Sequence, residues 1–335
     1  MGTLDRITET SRSMGRRIVL PESGDRRVIQ AASIIARRKI ARAILVGNPR
    51  QIADFARQSG TDISSIDLID PRSSVKTREY QSQLLALRKH KGMTEELAAT
   101  EILDPLVYAA CMVRNGDAEG CVAGAAHTTS DVVRRALQVI GMEADAGLVS
   151  SFMIMEHERP HQAIQGTALY ADCALVIDPD AEQLAGIAIA TADSGRNLVN
   201  LDPRVALLSF STSGSASHPH VEKVRKAGEI ISRWRPDIPL MAEVQFDAAV
   251  IPRILRQKAP GIQTRAPANV FVFPDLQSAN IGYKIAQRIG GVRAVGPVLQ
   301  GLKHPVNDLS RGCSVDDIVQ LIAITSVQSG AGHGL

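Results

Sequence analysis

The chain has 335 residues, 44% of them hydrophobic and 22% charged, which excludes a disordered segment and is more than one ordinary core holds. A net charge of +3, no basic tail and an aromatic content of 3% exclude nucleic acid as the main partner and leave little for base stacking. The four cysteines, Cys111, Cys121, Cys173 and Cys313, lie far apart without a C-x-x-C pair, which excludes a structural zinc site or a secreted disulfide scaffold and points to reduced thiols in a cytoplasmic protein.

Residues 1–17 carry Asp5, Arg6, Glu9, Arg12 and Arg16 and no apolar core, so no signal peptide is expected. No apolar run is long enough to cross a membrane. Strands are predicted at 17–21 and 41–47, each followed by a helix, with a third strand at 65–70. A helical region then takes in the basic cluster Arg88, Lys89, His90 and Lys91. That cluster is either a solvated face or an anion contact at a helix end. Strand 119–124 leads through small residues into Thr128, Thr129 and Ser130 at a helix start, with Arg134 about a turn further on. Backbone N–H groups at such a start welcome phosphate, although an N-cap with a surface arginine reads the same residues as well.

The second half repeats the alternation. Strands are predicted at 147–155, 167–177, 204–211 and 269–274, and helices at 181–191, 219–234 and around 283–289. This pattern predicts α/β architecture with largely parallel sheets. No G-x-G-x-x-G follows the first strand, so the dinucleotide fingerprint is missing. The break near 141–147 divides two α/β halves, and the segment from about Gly296 is expected to return to the first. The domains are therefore 1–145 plus 296–335, discontinuous, and 146–295.

The densest chemistry stands at 305–319. An apolar strand and its exit loop, 294–302, precede Asn307, Ser310, Arg311, Gly312 and Cys313. A helix follows with the apolar stripe Ile318, Val319, Leu321, Ile322 and Ile324, for which Ser314 is a plausible N-cap and Asp317 its capping-box partner. Asp316 and Asp317 also suit a helix N-terminus by themselves. Arg311 does nothing for the dipole of the following helix, and makes sense where an anion comes to meet it.

These stretches together resemble the phosphate acetyltransferase (phosphotransacetylase) family. The resemblance covers nearly the whole chain: 20–22, 87–92, 127–129 with 133–134, 171–174, 210–212 with 214–216, 245–248, 280–284, and 296–300 leading into 305–313, in that order. It implies two three-layer α/β/α domains of the isocitrate/isopropylmalate dehydrogenase-like architecture, with the active site in the inter-domain cleft, and a cytoplasmic homodimer. It implies the reversible reaction acetyl-CoA plus phosphate giving acetyl phosphate plus CoA, with no metal and no cofactor beyond coenzyme A as substrate. By the same resemblance Asp317 is the base for the coenzyme thiol, Arg311 binds the phosphoryl group, and Arg88 and Arg134 bind phosphate-bearing substrate. Ser310 can donate to the oxygen that becomes anionic in a tetrahedral intermediate. Thr128, Thr129, Tyr283 and Asn307 are proposed as polar groups lining the cleft, and Cys313 as a neighbour of the substrate. Cys313 could instead carry an acyl group if its pKa were lowered near the helix start. No histidine adjoins it in sequence, and direct thiol attack in a ternary complex is favoured.

Four positions depart from the family: Ser213 for lysine, Ala126 for threonine, Arg135 for proline and Ala279 for glycine. The competing readings are a butyryl or other short-chain phosphate acyltransferase, a metal-dependent dehydrogenase of similar architecture, and a non-catalytic ligand-binding module. The dehydrogenase would need a second carboxylate cluster for its metal.

Overall fold

The computed structural model describes residues 2–331 other than 160, 161, 263 and 265. The chain divides into a terminal unit, Leu4–Ala144 with the segment from Leu302 onward, and a central unit, Asp145–Gly301.

In the terminal unit the elements run α1 (Thr3–Met14), β1 (Arg17–Leu20), α2 (Arg26–Arg37), β2 (Arg42–Val46), α3 (Pro49–Gln58), β3 (Asp67–Ile69), α4 (Thr77–Arg88), α5 (Glu95–Glu101), α6 (Pro105–Arg114), β4 (Gly120–Ala123) and α7 (Thr129–Val139). The central unit follows with β5 (Ser150–His157), β6 (Gly166–Ala171), α8 (Ala181–Val199), β7 (Val205–Leu208), α9 (Pro219–Trp234), β8 (Leu240–Val244), α10 (Phe246–Val250), α11 (Pro252–Lys258), β9 (Val270–Val272), α12 (Leu276–Arg288) and β10 (Arg293–Gln300). The chain then returns to the terminal unit as β11 (Val306–Asp308) and α13 (Val315–Ala331).

The terminal sheet has the order β11-β4-β1-β2-β3, and every pairing in it is parallel. Ile18, Val19 and Leu20 of β1 and Cys121, Val122 and Ala123 of β4 are buried, the continuous apolar run of strands covered on both faces. α13 supplies Ile318, Leu321, Ile322 and Ile324 to the core and packs on α2, whose Val28, Ile29, Ala31, Ala32 and Ile35 are buried. α6 is buried along Leu106–Val113. Strand order reverses at β1 and β4, where the chain turns from building one side of the sheet to building the other. The loops at the carboxyl ends of those two strands are therefore the expected ligand crevice of this unit.

The central sheet has the order β10-β5-β6-β9-β7-β8. β6, β9, β7 and β8 run parallel, but β5 pairs antiparallel with both β6 and β10. The sheets are thus largely parallel, as the alternation predicts, and the two antiparallel pairings of β5 are the part it does not report, because apolar runs carry no direction. The antiparallel pairing carries β10 to Gln300 within the central unit, so the return begins at Leu302 rather than near Gly296. The strand expected over 167–177 stops at Ala171, because the Asp172 carboxylate accepts from the backbone N–H groups of Ala174, Leu175 and Val176 and turns the chain.

Candidate functional site

Three loops meet at the carboxyl ends of β1, β4 and β11, all within the terminal unit. The loop after β1 brings Glu22, a side chain almost wholly buried. Its carboxylate accepts from the backbone N–H groups of Ala125 (2.7 Å), Ala126 (2.9 Å) and His127 (2.8 Å), the turn between β4 and α7. His127 adds an Nδ1 contact at 2.8 Å. The small-residue turn is thus an anion-binding nest, as its composition suggested, but the anion it holds is the protein's own Glu22. Burial pushes the Glu22 carboxyl up, and the bonds from His127 and the three N–H groups more than offset it, so it lies below the usual carboxylate value. The same contact with Glu22 raises the His127 imidazole against the opposing effect of burial.

Gly124 lets the β4 loop lie directly on the β11 exit. Its φ is +106°, and a Cβ there would stand 2.3 Å from Asp308 Oδ1 and 2.5 Å from the backbone nitrogen of Leu309. Asp308 is 1% exposed. One of its oxygens accepts from the Thr129 hydroxyl at 2.6 Å, and Oδ1 has no hydrogen-bond partner among the described residues. Burial, with Glu22 nearby, pushes this carboxyl up to about 7 despite the Thr129 bond. A carboxyl raised on folding holds its proton longer in the folded than in the unfolded chain. Its stabilising effect is full below the unfolded value of about 4 and is lost as pH rises toward 7. His127, also raised, loses its contribution as pH rises through its folded value above about 6.5. Thermal midpoints measured from pH 5 to pH 8 are therefore expected to fall by several degrees, and by about half as much in Asp308→Asn. An equal fall in both proteins would remove Asp308 from the account.

The turn after β11 carries the proposed chemistry. Ser310, Arg311 and Gly312 are exposed, while Cys313 tucks inward at 8% exposure. The turn closes through Cys313 N–H donating to the Ser310 carbonyl at 2.9 Å, and Gly312 N–H donates to Ser310 Oγ at 3.3 Å. Asp317 caps α13 reciprocally. Its Oδ2 accepts from Ser314 N–H (2.8 Å) and Ser314 Oγ (2.9 Å), and its own N–H donates to Ser314 Oγ (3.1 Å). The capping box read from the sequence is thus formed, and it leaves the second carboxylate oxygen, Oδ1, outside the cap. The guanidinium of Arg311 has no hydrogen-bond or ion-pair partner among the described residues. Cys313 is raised by burial, which outweighs the lowering by Arg27, so the environment favours thiol over thiolate.

The remaining sequence-predicted residues are placed as follows. Arg88 ends α4, half-buried, and its guanidinium too lacks a protein partner among the described residues. Arg134 is exposed on α7 and pairs with Asp131. The Thr128 hydroxyl caps α7 by accepting from Asp131 N–H, and Thr129 is committed to Asp308. Asn307 is 0% exposed, and its amide donates to Thr325 Oγ1 and Gln328 Oε1 of α13, both at 2.8 Å. It therefore ties β11 to α13 inside the unit instead of lining a crevice. Tyr283 lies half-buried on α12 of the central unit, with its phenol pushed up by burial.

Of the departures, Arg135 forms ion pairs with Glu101 at 2.8 Å and Asp104 at 3.7 Å, an anchor between helices that proline could not provide. Ala126 needs no side chain for its contact, since its N–H alone meets Glu22. Ser213 has φ +48° and donates its N–H to the Glu243 carbonyl at 3.1 Å, and Ala279 is fully buried in the central core.

Sequence reasoning missed Glu22, Asp308 and Arg27 as site-builders. Arg27, on the first turn of α2, reaches all three loops (its contacts are given below), and no local pattern marks it. Among the described residues no group of three or more His, Cys, Asp or Glu side chains is gathered to hold a metal ion, and no helix is long and apolar enough to cross a membrane.

A family profile described as Phosphate acetyl/butaryl transferase matches residues 2–326. A phosphate acetyltransferase of Paracoccus denitrificans is 46% identical over 98% of this chain and 100% of its own length. One from Thermoanaerobacterium thermosaccharolyticum is 45% identical with the same coverage. The solved structure of the EutD phosphotransacetylase from Staphylococcus aureus superposes with a TM-score of 0.88 at 39% identity, covering 98% of each chain. With the profile spanning almost the entire sequence and relatives matched end to end, the chain belongs to the phosphate acetyl/butaryl transferase family.

Proposed function

We propose that the chain is a phosphate acetyltransferase that moves an acetyl group reversibly between coenzyme A and phosphate by direct thiol attack in a ternary complex. The observation that carries the reading is the Ser310–Asp317 segment: an exposed hydroxyl and an exposed guanidinium with no partner among the described residues, both on a closed turn, followed at once by a carboxylate with one oxygen left over from capping. The roles follow from the chemistry. A coenzyme thiol has a pKa of about 8.5, so only a few per cent is thiolate at neutral pH. Asp317 Oδ1 takes the thiol proton as sulfur attacks the acetyl carbon of acetyl phosphate. Ser310 Oγ donates to the carbonyl oxygen as it becomes anionic. The intermediate then collapses by breaking the bond from the acetyl carbon to the phosphate oxygen, and the departing phosphate is held by the planar fork of Arg311. Arg88 and Arg134 are offered to the phosphates of the coenzyme, with Thr128 and Tyr283 as further contacts to substrate. A homodimer is the assembly the family implies, and four free, buried thiols accord with a cytoplasmic setting.

The test is thioester absorbance on mixing acetyl phosphate with coenzyme A, set against propionyl and butyryl phosphates for the acyl preference. Asp317→Asn is expected to lose about a hundredfold or more in kcat, whereas Cys313→Ala keeps turnover within a few-fold, because the raised thiol is a poor nucleophile. Ping-pong kinetics, or the reverse order of the two variants, would transfer the chemistry to the cysteine.

A further inference from the structure

The geometry points to Arg27 as the residue that sets the conformation of the Ser310–Cys313 turn, a positioning role that rests on the reading of that turn as the reactive one. Its guanidinium has five N–H donors, and each one has an acceptor within the protein. Nη1 donates to the carbonyls of Arg311 at 2.8 Å and Cys313 at 2.9 Å. Nη2 donates to the Ala125 carbonyl at 3.0 Å and to Asp25 Oδ2 at 2.7 Å, and Nε to Asp25 Oδ1 at 3.1 Å.

Two things follow from that count. No donor is left to meet a substrate phosphate, which separates Arg27 from Arg311 and Arg88 on the same unit. And one rigid plane joins three loops: the start of α2 through Asp25, the nest turn through Ala125, and the reactive turn through two of its carbonyls. Fixing the carbonyls of Arg311 and Cys313 fixes the peptide planes that follow those two residues, and the Cys313 N–H bond to the Ser310 carbonyl holds the plane between Gly312 and Cys313 and ties Ser310 to it. Gly312 has no close neighbour of its own to restrain it, since a Cβ there would meet only Ser310 Oγ at 3.9 Å. The direction in which Arg311 and Ser310 leave the backbone is set by those planes. Asp25 completes the device by holding the guanidinium bidentately, a charge-assisted fork that a lysine ammonium cannot copy.

Arg27→Lys is the direct test, with Asp25→Asn as a second variant that loosens the guanidinium without removing it. In Arg27→Lys, kcat for thioester formation is expected to fall by about thirtyfold or more while KM for acetyl phosphate and for coenzyme A stays within about threefold, because the substrate contacts remain and their alignment is lost. Asp25→Asn should move kcat the same way by a smaller factor. Millimolar guanidinium ion should restore part of the activity of Arg27→Ala. Hydrogen exchange supplies a readout independent of turnover: peptides spanning residues 309–314 should exchange faster in Arg27→Lys, with peptides of the central unit unchanged. Kinetics and exchange both equal to wild type in Arg27→Lys would overturn the assignment. So would a large rise in KM for acetyl phosphate at unchanged kcat, which would make Arg27 a substrate ligand. If the wild type forms no thioester, the functional reading fails, and faster exchange at 309–314 still supports the positioning role.

Discussion

Replacing Arg311 by alanine is expected to lower thioester formation by about a hundredfold or more in kcat/KM, the cost of losing one preorganised charged donor from a site where charge develops. The Arg311 side chain holds no part of the fold together. It is exposed, it has no partner among the described residues, and the backbone that carries it is pinned from outside through Arg27. Nothing in the fold depends on the guanidinium, so the thermal midpoint of Arg311→Ala should stay within about a degree or two of wild type. Arg311→Lys keeps the charge and gives up the fork, and should recover no more than about a tenth of the lost activity. Steady-state kinetics on the two variants beside circular dichroism melts decide the matter. Turnover of Arg311→Ala within about fivefold of wild type would mean that the leaving phosphate is held elsewhere.

The second large effect is on stability. Gly124→Ala is expected to cost about 3 kcal/mol, from a left-handed backbone that alanine resists and from overpacking. The new methyl would stand 2.3 to 2.6 Å from the Asp308 carboxyl and from the backbone of Leu309. Leu309 cannot step aside freely, because its N–H donates to the Ala123 carbonyl at 2.7 Å and so carries on the β11–β4 ladder. Relief therefore comes by prising apart the two loops that frame the site, and activity should fall together with the melting temperature. Urea unfolding followed by circular dichroism measures the loss, and a cost below about 1 kcal/mol would show that the loops yield easily.

Most of the terminal scaffold could be read from periodicity. β1, β2 and β4 announce themselves as apolar runs ending in turn residues, and Pro49 and Pro105 mark helix starts there, as Pro219 does in the central unit. β11 could not be read in that way, because Asn307 and Asp308 interrupt the apolar pattern while being buried, each bonded to a partner far along the chain. Asn307 reads as a crevice residue on the same grounds: an amide in a polar stretch looks solvent-facing until the helix that covers it is known. Glu22 and Arg27 escaped notice for a related reason. Their partners are backbone groups, 103 to 105 residues away for Glu22, and a backbone N–H or carbonyl looks the same in every sequence. The Ser310–Asp317 segment stands out in the sequence because its candidate groups are side chains clustered within eight residues. In the central unit, β8, α10 and α11 went unread, being short segments without a full period of either kind.

The interruption of the terminal unit by the central one bears on how the protein is made. β11 is an edge strand of the terminal sheet, and it is translated only after all of Asp145–Gly301 has been synthesised. Until then β4 presents an open edge and α2 lacks the helix that covers it, a nascent state with exposed apolar surface and an unpaired strand. The central unit, contiguous in the chain, is free to fold first. The turn bearing Arg311 and the cap bearing Asp317 lie on the last segment to dock, so a ribosome-stalled chain lacking that segment would be inert whatever the state of its earlier parts.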